Sequence, residues 1–220
     1  MRYLPSDKYN VAWFKLAECV ARGERERALG VYRLLSHSFD DPAFASQLEG
    51  DILVAFSDPV SAVVKYKEAV ALYKSSNRTL EAAAVAEHIL VLEAEKQESI
   101  ELLIELYKEV GNEYKTATYL HMLFALTLGM HNLDRAAQIL DEYQALVGVA
   151  KALPDRQQLL FSCIKNQPMP REPEVRQLEL ILNGLLEGGK ASELNAFLSY
   201  IEGLNPYYRA VAHEYLEKHA

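Results

Sequence analysis

Several things are scarce in this 220-residue chain, and each scarcity removes a class of protein. Cysteine occurs twice, at Cys19 and Cys163, far apart and each inside an apolar helical pattern. That excludes a disulfide framework or a cysteine-based metal spacing, and both thiols read as small buried hydrophobes. Basic charge is short: 23 Lys and Arg face 31 Asp and Glu, for a net charge of −8. Without a basic stripe to displace counterions, nucleic acid is excluded as a partner. Long hydrophobic runs are missing too. The longest uncharged stretch, Thr116 to Leu133, contains Thr116, Thr118, Thr127 and Asn132 besides His121 and His131, which is too polar for a membrane span. The opening MRYLPSDKYN lacks the apolar core of a signal peptide, so the cytoplasm is the expected compartment. Strand-like alternation appears nowhere.

Recognisable chemistry is equally absent. The six histidines, His37, His88, His121, His131, His213 and His219, include no pair at helical i, i+4 spacing with a third ligand nearby. Neither cysteine sits at a strained turn or a glycine-flanked helix start, where a nucleophile would be activated. The acid pairs Asp40-Asp41 and Asp141-Glu142 are adjacent in sequence, so on a helix they point apart and at turns they serve as caps. Gly188-Gly189-Lys190 lacks the spacing of a phosphate loop, and Asn77-Arg78-Thr79 reads as a helix cap. No catalytic residue, no metal and no cofactor is expected, and the chain is not read as an enzyme.

What is present is a repeat. Half of the residues are apolar, enough for a substantial core. A helical-hairpin pattern recurs at Ala28, Ala62, Ile100 and Ala136, each followed four residues later by a large residue: Tyr32, Tyr66, Ile104 and Leu140. Periods of this length mark solenoids, in which one supersecondary unit is stacked on the next. Turn signals divide the chain into helices over 11–22 and 24–37 around Gly23, from Pro42 to the break at Ser57-Asp58-Pro59, and over 60–74 to the Ser75-Ser76-Asn77 connector. Helices over 79–95, 97–110, 113–130 and 132–147 follow, separated at Gly111-Asn112 and stopped at Gly148. Pro154 to Ile164 is predicted as one unpaired helix starting at its proline, and Asn166 to Arg171, with two prolines, as a linker. A hairpin over 172–187 and 190–202 and a last helix from Pro206 complete the chain. The domain reading is four hairpins over 8–148, a single helix and Pro-rich linker over 149–172, and a degenerate hairpin with a capping helix over 173–220, all in one continuous array.

Around these positions the chain resembles the tetratricopeptide repeat. Trp13, Leu16, Ala17, Gly23, Ala28 and Tyr32 look like its signature positions, and Gly50, Leu53, Asp58, Ala62, Tyr66 and Ala69 reproduce them at full spacing. In the third and fourth copies His88 and Phe124 stand where a small residue is usual, so those hairpins are expected to be splayed or differently registered. Ile181, Leu185, Gly189, Leu198 and Pro206 recover the pattern, with Leu194 in place of Ala. The longer central period is also similar to SNAP-like arrays. The resemblance implies an all-α, right-handed α-solenoid of about twelve helices in antiparallel hairpins with a capping C-terminal helix.

It also implies a protein-protein interaction adaptor or scaffold whose first helices line a concave groove. That register assigns Phe14, Glu18, Phe44, Gln47, Asp51, Val85, Ile89, His121 and Ala125 to the groove. Tyr207, Tyr208 and Tyr215 on the last helix form a second candidate surface. Partner classes consistent with the resemblance are an extended peptide, an amphipathic helix, a folded regulator such as a small GTPase or response regulator, and a secretion or assembly client. An obligate structural homo-oligomer, with a homodimer as its simplest form, and a peptide-sensing regulatory module are the alternatives. Residues 81–109 carry eight Glu against Lys96 and Lys108, which would steer a basic partner segment. The stretches 79–92 and 116–128 are apolar nearly all round, so something is expected to cover them, either the chain's own C-terminal half, a second copy or a partner helix.

Overall fold

A computed structural model of the chain describes residues 7–93, 96–166, 169–189 and 191–219. Among the described residues there are twelve α-helices and no strand. They divide into two compact units, Met1–Asn112 and Glu113–Ala220. The first holds α1 (Asp7–Ala21), α2 (Arg25–Ser36), α3 (Pro42–Ala55), α4 (Pro59–Ser75), α5 (Thr79–Leu92) and α6 (Gln97–Val110). The second holds α7 (Glu113–Gly129), α8 (Leu133–Val147), α9 (Val149–Asn166), α10 (Glu172–Glu187), α11 (Ala191–Leu204) and α12 (Pro206–His219). In each unit every helix packs on its neighbours in the chain, the pattern of stacked helical hairpins.

One turn builds most of the corners. At Gly23, Ser57, Asn77, Gly111 and His131 the backbone takes a positive φ. In all five the next residue donates its N–H to the carbonyl five residues back: Glu24 to Cys19, Asp58 to Leu53, Arg78 to Tyr73, Asn112 to Tyr107 and Asn132 to Thr127, at 2.9 to 3.0 Å. This is the Schellman arrangement, which satisfies the last orphan carbonyls of a helix. Each accepting residue is buried, so the turn is tied to the core. Glycine supplies the left-handed conformation twice; Ser57, Asn77 and His131 accept it with a side chain present. Asp58 and Asn132 then cap the following helices through the N–H groups of Ser61 and Arg135.

The repeat positions are where the hairpins meet. Ala28, Ala62, Ile100 and Ala136 are all buried, as are Tyr32, Tyr66, Ile104 and Leu140 four residues on. Of the glycine positions the tightest is between α3 and α4, where a Cβ on Gly50 would lie 2.5 Å from the Tyr66 ring. The ring is buried, and its hydroxyl donates to Asp51 at 2.7 Å, so it has no room to withdraw. His88 faces Tyr66 from α5 with ring centroids 5.6 Å apart and is itself exposed. The small residues through which α5 packs are Ala82, Ala83 and Ala86, so the third copy is differently registered. Phe124 is buried in α7.

Three expectations change. The helix expected to begin at Pro154 begins at Val149, carries Pro154 in its interior, and is paired: α9 packs on α8, α10 and α11. Burial of Ala152 and the contacts of Val149 and Leu153 against Gly184 outweigh the loss of one helical hydrogen bond there. The two helices read as apolar all round each leave one narrow face uncovered. On α5 it is Leu80, Ala84, His88 and Val91; on α7 it is Thr118, His121, Met122 and Ala125. Each face leaves large apolar side chains in solvent, Leu80 and Val91 on α5 and Met122 on α7. Lastly, the chain divides between Asn112 and Glu113, while 149–172 is held into the second unit through α9. Of the expected linker, Gln167 and Pro168 lie outside the described residues, as do Ala94, Glu95 and Lys190 at two expected helix ends.

The Gly50–Tyr66 contact predicts opposite signs for two glycine substitutions. Gly50→Ala should destabilise by about 1–3 kcal/mol, because the added methyl overpacks a fixed ring. Gly30→Ala, where the position within α2 is open, should stabilise by about 0.5–1 kcal/mol. Urea unfolding of the two variants checks both, and the reading fails if Gly50→Ala is neutral.

Candidate protein-interaction surface

In the first unit the candidate residues lie on α1, α3 and α5, and the structure separates them. Phe14 on α1 is 78% exposed and Phe44 on α3 is 38% exposed. Phe44 ends a run of rings that links the two helices: Trp13 stacks on Phe39 at 5.7 Å, and Phe39 meets Phe44 edge-on at 5.5 Å. Glu18 is exposed and pairs with Arg22 at 2.7 Å along the helix, a contact worth little in solvent. Gln47 and Asp51, one turn apart on α3, are held from below. Tyr73 donates its hydroxyl to Gln47 at 2.9 Å and Tyr66 donates to Asp51. Burial, followed by the Asp51 carboxylate, pushes the Tyr66 hydroxyl well above the usual phenol range, so it stays a donor at any physiological pH. The two acceptors are therefore fixed before anything binds.

Val85 and Ile89 depart from the expected register. Each is 1% exposed and belongs to the core, so neither is offered to a partner. A helix apolar on every side carries no moment to orient it, and here Val85 and Ile89 turned inward while Leu80, Ala84, His88 and Val91 took the open face.

Arg78, read from the sequence only as part of a helix cap, joins several groups of this surface. Its guanidinium lies 4.4 Å over the Tyr73 ring, pairs with Asp41 at 2.5 Å and reaches Glu81 at 3.1 Å. Asp41 also caps α3, accepting from the N–H groups of Ala43 and Phe44. Burial alone would raise the Asp41 carboxyl, but Arg78 and the two N–H groups together hold it below its usual range. Asp58 is lowered in the same way, first by Arg25 at 2.5 Å and then by Ser61. These pairs tie α3 to the turn before α5, and α2 to the turn before α4.

In the second unit, His121 and Ala125 are exposed on α7. His121 Nε2 is 3.3 Å from Asp155, and the imidazole lies 5.5 Å from the Tyr143 ring. With Tyr114, Thr118 and Lys151, His121 and Tyr143 border a small hollow of about 240 Å³. Below this surface sits Arg156, 2% exposed, donating to Gln144 at 2.5 Å, Gln177 at 2.7 Å and Asp141 at 2.6 Å. One buried cation thus joins α8, α9 and α10. Its sequence signal was an arginine inside the stripe Ala152, Leu159, Leu160 and Cys163.

The C-terminal tyrosines do not form one surface. Tyr207 is exposed, Tyr215 donates to Asn183 at 2.9 Å with His219 stacked on it, and Tyr208 is 0% exposed in the core of the unit. Tyr208 is a correction: a helix that caps an array must bury one face, and Tyr208 and Ala212 are that face. The Tyr208 hydroxyl has no hydrogen-bond partner among the described residues, and burial raises it to about 12. Both cysteines are free and buried, and burial lifts the Cys163 thiol to about 11, away from reactivity.

No protein-family model and no curated protein matches the sequence. Similar solved structures include a tetratricopeptide repeat protein from Parabacteroides merdae, 13% identical over 94% of this chain and 98% of that one, with a TM-score of 0.28. Another is a Naa15/Naa10 complex bound to HypK-THB, 14% identical over 96% of this chain and 39% of the matched chain, with a TM-score of 0.25. The fold itself rests on this chain's own packing. It is an array of helical hairpins with the expected small and large residues interlocked at Gly50, Ala62 and Tyr66. No helix among the described residues is long and apolar enough to cross a membrane, and they contain no cluster of three or more His, Cys, Asp or Glu placed to hold a metal.

Two measurements follow. Asp41→Asn keeps a capping side chain but loses the ion pair with Arg78. Because the folded carboxyl is held low, the pair contributes above the ordinary carboxylate range and is lost as pH falls through it. The melting temperature of Asp41→Asn should lie below that of the wild type near neutrality and meet it in acid; a gap that persists in acid would contradict the assignment. Tyr208→Phe removes an unpartnered buried hydroxyl and should raise stability by about 1 kcal/mol, read by urea unfolding. A loss of stability would show that the hydroxyl is satisfied.

Proposed function

We propose that the chain is a non-catalytic helical-repeat scaffold, acting in the cytoplasm, that binds another protein or a peptide on the first-helix face of its first unit. The observation that carries this reading is the exposure of Phe14 and Phe44, the latter on the same helix as two acceptors that the fold has already fixed, Gln47 and Asp51. Large exposed rings on a rigid support are the usual anchors of protein interfaces, since two side-chain torsions are all that binding must freeze. The acidic surroundings, Glu18 and Asp51 within a chain of net charge −8, favour a partner segment that is apolar and basic. Such a segment would set apolar side chains against Phe14 and Phe44 and a cation or N–H donor against Asp51.

The test uses the tagged full-length chain, its Phe14→Asp/Phe44→Asp double variant, and Val60→Asp as a control on the exposed side of α4. Each is passed through native lysate and the retained proteins are identified by mass spectrometry. Proteins held by the wild type and by Val60→Asp should be lost from the double variant, by about tenfold or more for a pair of anchor residues. Equal retention by the double variant, with crosslinks confined to α2 and α4, would overturn the reading.

A further inference from the structure

The hollow beside His121 in the second unit holds two polar groups that the fold leaves unmatched. Its lining comes from three helices: Tyr114, Ala117, Thr118 and His121 from α7, Tyr143 from α8 and Lys151 from α9. That lining contains one lysine and no carboxylate. Lys151 is exposed and makes no ion pair and no hydrogen bond among the described residues. Asp155 stands one turn further along α9, where an opposite charge would ordinarily be met. Its carboxylate is turned instead to His121 Nε2, at 3.3 Å.

Tyr143 is the second unmatched group. It is 6% exposed and borders the hollow, yet its hydroxyl makes no hydrogen bond among the described residues. Unlike the Tyr208 hydroxyl it is not sealed off, so it is reached through the hollow. Burial, followed by the Asp155 carboxylate, pushes the Tyr143 hydroxyl up, so it keeps its proton and is available to donate. The other polar groups of the lining are engaged. Thr118 donates its hydroxyl to the Tyr114 carbonyl at 2.8 Å, and His121, held by Asp155 and set 5.5 Å from the Tyr143 ring, forms a fixed wall.

We infer that this hollow binds a small monocarboxylate, its two oxygens taken by the Lys151 ammonium and the Tyr143 hydroxyl and its carbon body set against Ala117 and the His121 ring. Charge selects an anion, because the one lysine of the lining lacks a counter-ion and a buried donor lies beside the same opening. A single negative charge is selected by Asp155, which stands behind His121 and would repel the second charge of a dianion. A small ligand is selected by volume, since about 240 Å³ is below the range of about 300–1,000 Å³ typical of sites for larger molecules. The site shares no residue with the surface proposed in the first unit and does not depend on it.

Benzoate and benzamide have the same shape and differ in charge. Each is titrated into the full-length chain and followed by amide chemical shifts. Benzoate should saturate, with shifts at Ala117, His121, Tyr143 and Lys151, and should bind about tenfold more tightly than benzamide, the worth of a charge-assisted hydrogen bond. Tyr143→Phe removes a hydroxyl that holds nothing inside the fold, so it should keep the melting temperature of the wild type while benzoate weakens about tenfold. Lys151→Met should remove the preference for benzoate over benzamide. Lys165→Met, at an exposed position of α9 outside the hollow, should leave it intact. Inorganic phosphate, mostly a dianion above neutral pH, should compete poorly. The inference is overturned if benzoate does not saturate, if benzamide binds equally well, if Tyr143→Phe or Lys151→Met binds benzoate as the wild type does, if Lys165→Met weakens it as much, or if phosphate displaces benzoate at equal concentration.

Discussion

A single steric constraint organises the first unit: the ring of Tyr66 lies where Gly50 has no side chain. Because the ring fills that space, α3 and α4 approach at a fixed distance, and the Tyr66 hydroxyl emerges beside Asp51. Two turns further along the same face of α4, Tyr73 reaches Gln47 and its ring lies under Arg78. Packing and the placement of polar groups are thus one event. The tyrosines bury apolar rings to close the hairpins, and their hydroxyls, which must find acceptors, immobilise the side chains of the exposed face. A surface prepared this way loses little freedom on binding.

The second unit solves the same problem with charge. Arg156 is withdrawn from solvent and shared among Gln144, Gln177 and Asp141, so three helices meet at a polar joint. A buried cation adds little net stability, since its desolvation offsets much of the attraction, but it tolerates only the arrangement that pairs it. That fixes the relative positions of α8, α9 and α10. The two units follow the same hairpin plan and are locked by different forces.

Much of the architecture was legible from local chemistry. Gly23 and Gly111 end helices because only left-handed backbone closes the Schellman turn, and Asp58-Pro59 begins one because aspartate caps and proline fits a first turn. Ala62 followed by Tyr66 announced a close crossing, and Tyr66 fills the space beside Gly50. His131 as a left-handed turn residue was not legible, since a side chain other than glycine or asparagine rarely marks that position. The open face of α5 was also hidden: Ala84 and Val85 differ too little in hydropathy to say which is buried. Of the candidate surface, Phe14, Phe44, Gln47 and Asp51 could be named from register; that the last two are held by tyrosines, and that Tyr208 is core, could not.

The sequence by itself determined the helices, their turns and the hairpin period, because these depend on residues within a few positions of one another and on backbone conformations that few side chains accept. The tertiary structure alone decided which face of α5 is open, where the chain divides, and which polar groups are paired. Those outcomes are set by competition among residues far apart in sequence for the same buried space. Arg156, Arg78 and Tyr208 found their places only when helices brought together from different hairpins left one cavity, one ring face and one dry pocket for them to occupy.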